Sequence, residues 1–344
     1  MKKVLVAPDS FKGTFTAAEV ADHVAAGLRS VDVEPILCPV ADGGEGTLDA
    51  FLLALPGEVL HIEVEGPLGE AVRARIGLFN NRQLAVVEMA EASGLGLLGP
   101  GLDSQDREAA AIRATSYGTG QLIAHAIQAG AKEILVGVGG SATTDGGKGA
   151  IDAVESLVGI FPPQLRLRVL ADVDVPFERA AQVFAPQKGA GPAAVQLLRA
   201  RLDEFAEDFE RRYGRNPAGV PFSGAAGGLA GGLWSAFDAS LTSGAQAVVD
   251  LLRLPDLLPD SAAVVVGEGR LDSQTGSGKI VSVVASQAGC LPVFAVVGQN
   301  TLSAEECRHL GIHQVFEATD AEALRAAGRM IGELVVQTKG ADGP

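Results

Sequence analysis

At 344 residues, with 47% hydrophobic and 20% charged side chains, the chain has material for about two domains with a substantial core, which excludes disorder as a whole. Its 42 acidic and 27 basic residues leave a net charge of −15, and a surface that acidic repels nucleic acid and anionic membrane, excluding both as partners. An anionic ligand would need local Lys, Arg or backbone N–H groups.

Residues 3–7 form an apolar, β-branched run that reads as a buried strand. Pro8 and Asp9 end it too early for the core of a signal peptide. Thr16 with Glu19 forms a capping box, and Val20, Val24 and Leu28 follow at helical spacing. A second strand spans residues 35–40, and a helix begins near Thr47. Alternation of this kind predicts a parallel sheet. The character then changes. Residues 59–64, 72–78 and 84–89 are strand-like with no helix between them, and Asn80-Asn81 supplies a turn, so an antiparallel element is expected.

The α/β pattern returns at Gly120, with a helical face of Leu122, Ile123, Ala126 and Ile127, a cap at Gly130 and a strand at 134–138. Pro192 opens a helix whose stripe of Val195, Leu198, Leu202, Phe205 and Phe209 is core. Residues 216–237 carry no charge and six glycines, which fits a glycine-rich loop leading into a buried helix better than a membrane span. Strands at 263–266, 293–297 and 314–316, a helix after Gly278 and a final helix from Ala321 complete the chain. The fold class is therefore α/β, with two domains. The first and last segments form a doubly wound, Rossmann-like domain (1–58 and 245–344) into which a mixed α/β domain (59–244) is inserted.

Cys38, Cys290 and Cys307 have no metal-type spacing and read as reduced thiols of a cytoplasmic protein. His309 and His313 flank Gly311 without a third ligand, so no metal site is expected there.

Chemistry is expected in five polar, glycine-rich loops, because ligands of open α/β sheets bind beyond the carboxyl ends of the strands. The first sets Asp9, Ser10 and Lys12 after the first strand. The second carries Asp42 and Glu45 among three glycines, where Asp42 could equally cap the next helix. The third runs from Gly137 to Gly147 through Gly139, Gly140, Ser141, Thr143 and Asp145, and suits a phosphate cradle, with Asp145 able to hold a cation. The fourth pairs Asp172 and Asp174 with Lys188 downstream, acids that can bind Mg²⁺ or accept a proton and a cation that can neutralise phosphate. The fifth is Gly267-Glu268-Gly269-Arg270 with Gly278 and Lys279 opening the next helix, where a guanidinium can grip carboxylate or phosphate. Neither a Walker A loop nor GxGxxG occurs, which argues against a dinucleotide oxidoreductase. No Ser-His-Asp, Cys-His or zinc set is present. Residue chemistry alone thus points to a phosphate- or nucleotide-binding enzyme acting on small molecules.

APDSFKG at Ala7, PVADGGEGT at Pro39, GPLGE at Gly66, EMAEASGL at Glu88, TSYGTGQLI at Thr115, GVGGSATTDGG at Gly137, APQKGA at Ala185, GAAGGL at Gly224 and GEGRLDSQT at Gly267 together resemble the bacterial type I glycerate kinases. The motifs occur in family order across nearly the whole chain. The resemblance implies two α/β domains with the site in the cleft, ATP and Mg²⁺, and D-glycerate as acceptor with 2-phosphoglycerate (or 3-phosphoglycerate) as product. It also implies a monomer or homodimer that binds a small hydroxy acid. Carried onto this chain, Arg270 and Lys12 would hold the substrate carboxylate and the transferring phosphoryl group, with Asp9, Ser10, Asp42 and Glu45 also facing substrate. Gly139, Gly140, Ser141, Thr143, Gly267, Gly269 and Lys279 would face the nucleotide phosphates. One of Asp145 and Asp172 would take the hydroxyl proton and the other, with Glu268, would hold Mg²⁺, while Lys188 would neutralise phosphate. The chain departs from the family in a shortened stretch after Gly149 and in Val175, which stands where the family carries Asn. These departures leave open a kinase for another hydroxy acid or a catalytically silent ligand-binding protein.

Overall fold

The structure is a computed structural model describing residues 1–99, 101, 103–273, 275 and 279–337; Gly278 lies outside the described residues. Strands β1 (Lys3–Pro8) and β2 (Glu34–Leu37) open the chain. They are followed by β3 (Gly57–Glu65), β4 (Ala71–Phe79), β5 (Leu84–Glu88), β6 (Glu133–Gly137), β7 (Arg166–Ala171) and β8 (Ser240–Ser243). Strands β9 (Ala263–Leu271), β10 (Val293–Asn300) and β11 (Ile312–Glu317) close it. Two compact units result: residues 1–42, 49–55 and 245–344 form the first, and residues 43–48 and 56–244 the second.

The sheet of the first unit has the order β11-β10-β9-β1-β2 with every pairing parallel. Counted within the unit this is 2-1-3-4-5, a doubly wound order whose direction reverses between β1 and β9. The helix Ala17–Arg29 starts at the capping box read from the sequence, with Thr16 and Glu19 bonded reciprocally. Its Val20, Val24 and Leu28 enter a core shared with Leu324 and Ile331 of the helix Ala321–Gln337. The two helices meet backbone to backbone. A Cβ on Gly27 would stand 2.1 Å from the Arg325 carbonyl oxygen, and one on Gly328 2.1 Å from that of Val24.

Two strands differ from expectation. Strand β2 ends at Leu37 rather than at residue 40, although Cys38 and Val40 still donate to the carbonyls of Val6 and Pro8. Strand β9 continues to Leu271 instead of stopping at Val266, because β10 runs beside it as far as Asn300. The stretch Gly267 to Arg270 is thus strand, not loop. Strand β1 stops at Pro8, opposite Gly267, so the far end of β9 projects past it.

The sheet of the second unit is mixed, in the order β3-β4-β5-β6-β7-β8. The β3–β4 and β4–β5 pairings are antiparallel, as expected, and the rest are parallel. Asn80 and Asn81 turn the β4–β5 hairpin with φ of 51° and 54°, the left-handed region that Asn tolerates. The helix Pro192–Tyr213 begins at its proline and buries Leu198, Leu202 and Phe209 against the sheet's core. The glycine-rich stretch after residue 216 leads into the buried helix Leu229–Phe237. Strand β8 and the helix Lys148–Val158 had no counterpart in the sequence reading. Ser-Leu-Thr-Ser is too short and polar to register as a strand. No helix among the described residues is long and apolar enough to cross a membrane.

Candidate active site

In the first unit a cavity of about 450 Å³ opens at the carboxyl ends of the strands, a volume typical of small-molecule sites. Asp9, Ser10 and Lys12 reach it from the exit of β1 and Asp42 from the stretch after β2. Glu268, Gly269 and Arg270 come from β9, and Asp272 and Lys279 from the segment beyond. The site lies where β1 and β9 part, at the switch point of the sheet. Gln299, near the end of β10, and Thr319, after β11, complete the wall. Neither was singled out from the sequence, though both follow predicted strands and that position was the available signal.

The glycines here serve close packing. A Cβ on Gly269 would lie 3.3 Å from the Cα of Phe11, and one on Gly298 would lie 2.6 Å from the Gly269 carbonyl oxygen. The loop after β1 can therefore rest directly on β9. Phe11 and Phe15 bridge that loop, with the Phe11 N–H donating to the Phe15 carbonyl at 2.8 Å. This buries Phe11 and leaves Lys12 exposed at the tip.

Three carboxyls line this cavity while almost wholly buried: Asp9 is 7% exposed, Asp42 8% and Glu268 9%. Burial pushes Asp9 up to about 7 and the Asp42 carboxylate adds to the rise, against the Ser10 N–H at 2.6 Å and the Lys12 ammonium. Glu268 is also raised by burial, while the Thr275 hydroxyl, 2.7 Å away, and Lys279 oppose the shift. Arg270 is exposed, its Nε 3.6 Å from an Asp272 oxygen.

The second unit gathers another polar cluster around the 137–147 loop. One Asp145 oxygen accepts the Ser116 N–H and hydroxyl, both at 2.8 Å, and the Gly149 N–H at 3.3 Å. The other accepts the Gly147 N–H at 3.1 Å. The carboxylate thus ties the helix Tyr117–Gln128 to the start of Lys148–Val158. Lys188, 4% exposed, donates from beneath to Ser141 and to the Thr143 carbonyl. Thr143 is fully buried, Ser141 half-buried, and Gly140 is exposed. Glu45 and Asp172 are exposed, the latter just past β7.

Several motif residues take part in packing and capping. Glu88 accepts the Leu48 N–H at 2.6 Å at the start of the helix Thr47–Ala54. A Cβ on Gly139 would lie 2.6 Å from the Cα of Gly44, so the 43–47 segment lies flat on the glycine-rich loop. Gly227, at φ +66°, presses on Thr143, where a Cβ would fall 2.0 Å from the carbonyl oxygen. Gly227→Ala is expected to cost about 3 kcal/mol through clash and left-handed strain, read as a lowered midpoint in urea unfolding.

Of the Mg²⁺ ligands expected from the sequence, Asp172 is exposed just past β7. Asp145 and Glu268 commit oxygens to protein donors. Among the described residues, no three His, Cys, Asp or Glu side chains are grouped to hold a metal ion.

A doubly wound sheet with buried acids and exposed cations at its switch point defines an enzyme acting on a small, charged molecule. The profile of the glycerate kinase family matches residues 4–158 and 160–338. A glycerate kinase of Halalkalibacterium halodurans is 38% identical, with 92% of this chain and 90% of that protein covered. The glycerate 2-kinase of Escherichia coli is 36% identical, with 94% of each covered. The crystal structure assigned to glycerate kinase 2 of Salmonella typhimurium LT2 superposes with a TM-score of 0.82 at 33% identity, covering 98% of this chain and 99% of that one. The chain belongs to the glycerate kinase family and is a kinase.

Proposed function

We propose that the protein transfers the γ-phosphoryl group of ATP to D-glycerate and yields 2-phosphoglycerate. The observation that carries this reading is Asp9, a buried carboxyl held near neutrality at the sheet's switch point beside Lys12 and facing Asp42. A base accepts a proton most effectively when its pKa lies near the working pH, so Asp9 is given the glycerate hydroxyl proton. This replaces Asp145, whose oxygens already accept from Ser116, Gly147 and Gly149. Lys12 and Arg270, both exposed on the cavity, are given the substrate carboxylate and the charge developing on the transferred group. The exposed backbone around Gly140 is given the nucleotide phosphates. Mg²⁺ would arrive on the nucleotide's phosphates and would neutralise their charge there.

Coupled ADP release with D-glycerate and a panel of hydroxy acids tests the reading, and phosphorus NMR distinguishes the 2- from the 3-phosphorylated product. Val175 motivates a second reading. Its carbonyl accepts the Gly224 N–H at 2.8 Å, docking the stretch that departs from the family pattern. ADP release with another acid but not with D-glycerate would favour a different acceptor, and none at all would favour a binding protein. Lys12→Ala and Arg270→Ala are each expected to lower kcat/KM for the acid about 100-fold, the size of a lost charge-assisted contact, with Tm unchanged. Near-normal rates would remove both residues from the mechanism.

A further inference from the structure

We propose that Lys188 never touches substrate but is a positioning residue: from beneath the 139–145 loop it makes the hydroxyl of Ser141 an obligate donor to a nucleotide phosphate oxygen. This rests on the kinase reading and adds which atom of the loop is used. Lys188 ends the short turn Pro186–Lys188, and Gly189, at φ +103°, turns the chain away. The residue is 4% exposed and its amine is turned into the loop. It donates to the Ser141 hydroxyl at 3.1 Å and to the Thr143 carbonyl, and no third acceptor faces it among the described residues. Burial pushes Lys188 down to about 7, with Asp145 the charge opposing that shift, in keeping with the geometry.

The consequence falls on Ser141. Its oxygen accepts from Lys188 and also from the Thr143 N–H at 3.2 Å, which fills both lone pairs. Only its proton remains to be offered. Within the protein that proton has only long partners, the carbonyl and hydroxyl of Thr143 at 3.3 Å each, and an anionic oxygen would draw it away. Among the three hydroxyls of this loop, Ser141 alone reaches solvent; Thr143 and Thr144 are 0% and 1% exposed. A hydroxyl that can only donate selects an anion over a donor ligand.

The test is a double-mutant cycle of Ser141→Ala and Lys188→Met, followed by kcat, by KM for ATP and for D-glycerate, and by Tm. Ser141→Ala should lower kcat/KM for ATP about 10- to 100-fold, the loss of one preorganised donor, with KM for D-glycerate and Tm unchanged. Ser141→Thr should recover most of it. Lys188→Met should lose at least as much, and the double variant no more than Lys188→Met alone, since both act through one hydroxyl. Multiplying losses, or Ser141→Ala at the wild-type rate, would overturn the inference. Should Lys188→Met not fold, Lys188→Gln, which keeps an N–H donor, takes its place in the same cycle. If the wild type releases no ADP, the kinase reading fails separately. Calorimetric ATP affinity then carries the same comparison, with an unweakened Ser141→Ala overturning the inference.

Discussion

Asp9→Asn is expected to lower kcat by about 10²- to 10⁴-fold, the range of a lost general base, while raising Tm at pH 8. Both effects have one cause. Asp9 is buried against Asp42, which lifts its pKa from the ordinary 3.8 to about 7. Activity needs the ionised carboxylate, so kcat/KM of the native enzyme should fall about tenfold per unit as pH drops below about 7. Stability runs the other way. A carboxyl whose folded pKa is raised binds its proton more tightly in the native state, so stability is lost as pH rises from 3.8 through about 7. At pH 8 the native protein carries the whole penalty of the buried charge, and the neutral amide relieves it. An Asp9→Asn enzyme within threefold of native kcat, or a flat native profile between pH 6 and 8, would show that Asp9 is not the base.

Asp145→Ala should destabilise the second unit by about 3 kcal/mol. Removing the carboxylate leaves the buried Ser116 N–H, its hydroxyl and the Gly147 N–H without their acceptor, and each such orphan costs about 1–3 kcal/mol before relaxation. For a unit of this size the loss lowers Tm by roughly 6–12 °C, measurable by circular dichroism. Asp145→Asn should recover part of the loss, because one oxygen is kept while its amide N–H₂ meets donors. A catalytic base or metal ligand without a structural task would behave differently, with activity lost and Tm untouched. The melting curve therefore separates the role expected from the motif from the role read in the structure.

The contrast between these two aspartates shows where sequence reading stops. Both sit in glycine-rich loops after β-strands, and both invite a catalytic role. Asp145 meets Ser116 across 29 residues of chain, and nothing local to either announces the contact. The glycines were legible as a phosphate cradle, yet Gly139, Gly227 and Gly269 are required because another backbone passes within a few ångströms of each. Glu268 was a candidate metal ligand by type, and only the fold shows that one of its oxygens accepts the Thr275 hydroxyl.

Sequence by itself determined the α/β class, the antiparallel insertion at β3 to β5, the capped helix at Thr16 and the family, since those depend on periodicity, turn chemistry and motif order along the chain. Tertiary structure alone decided that β9 runs through Gly267 to Arg270, that Asp9 is the carboxyl held near neutrality, and that Lys188 lies under its loop rather than on it. The physical reason is that burial and hydrogen-bond partners are properties of neighbours distant in sequence. A carboxylate's pKa or an amine's reach therefore has no value until those neighbours are in place.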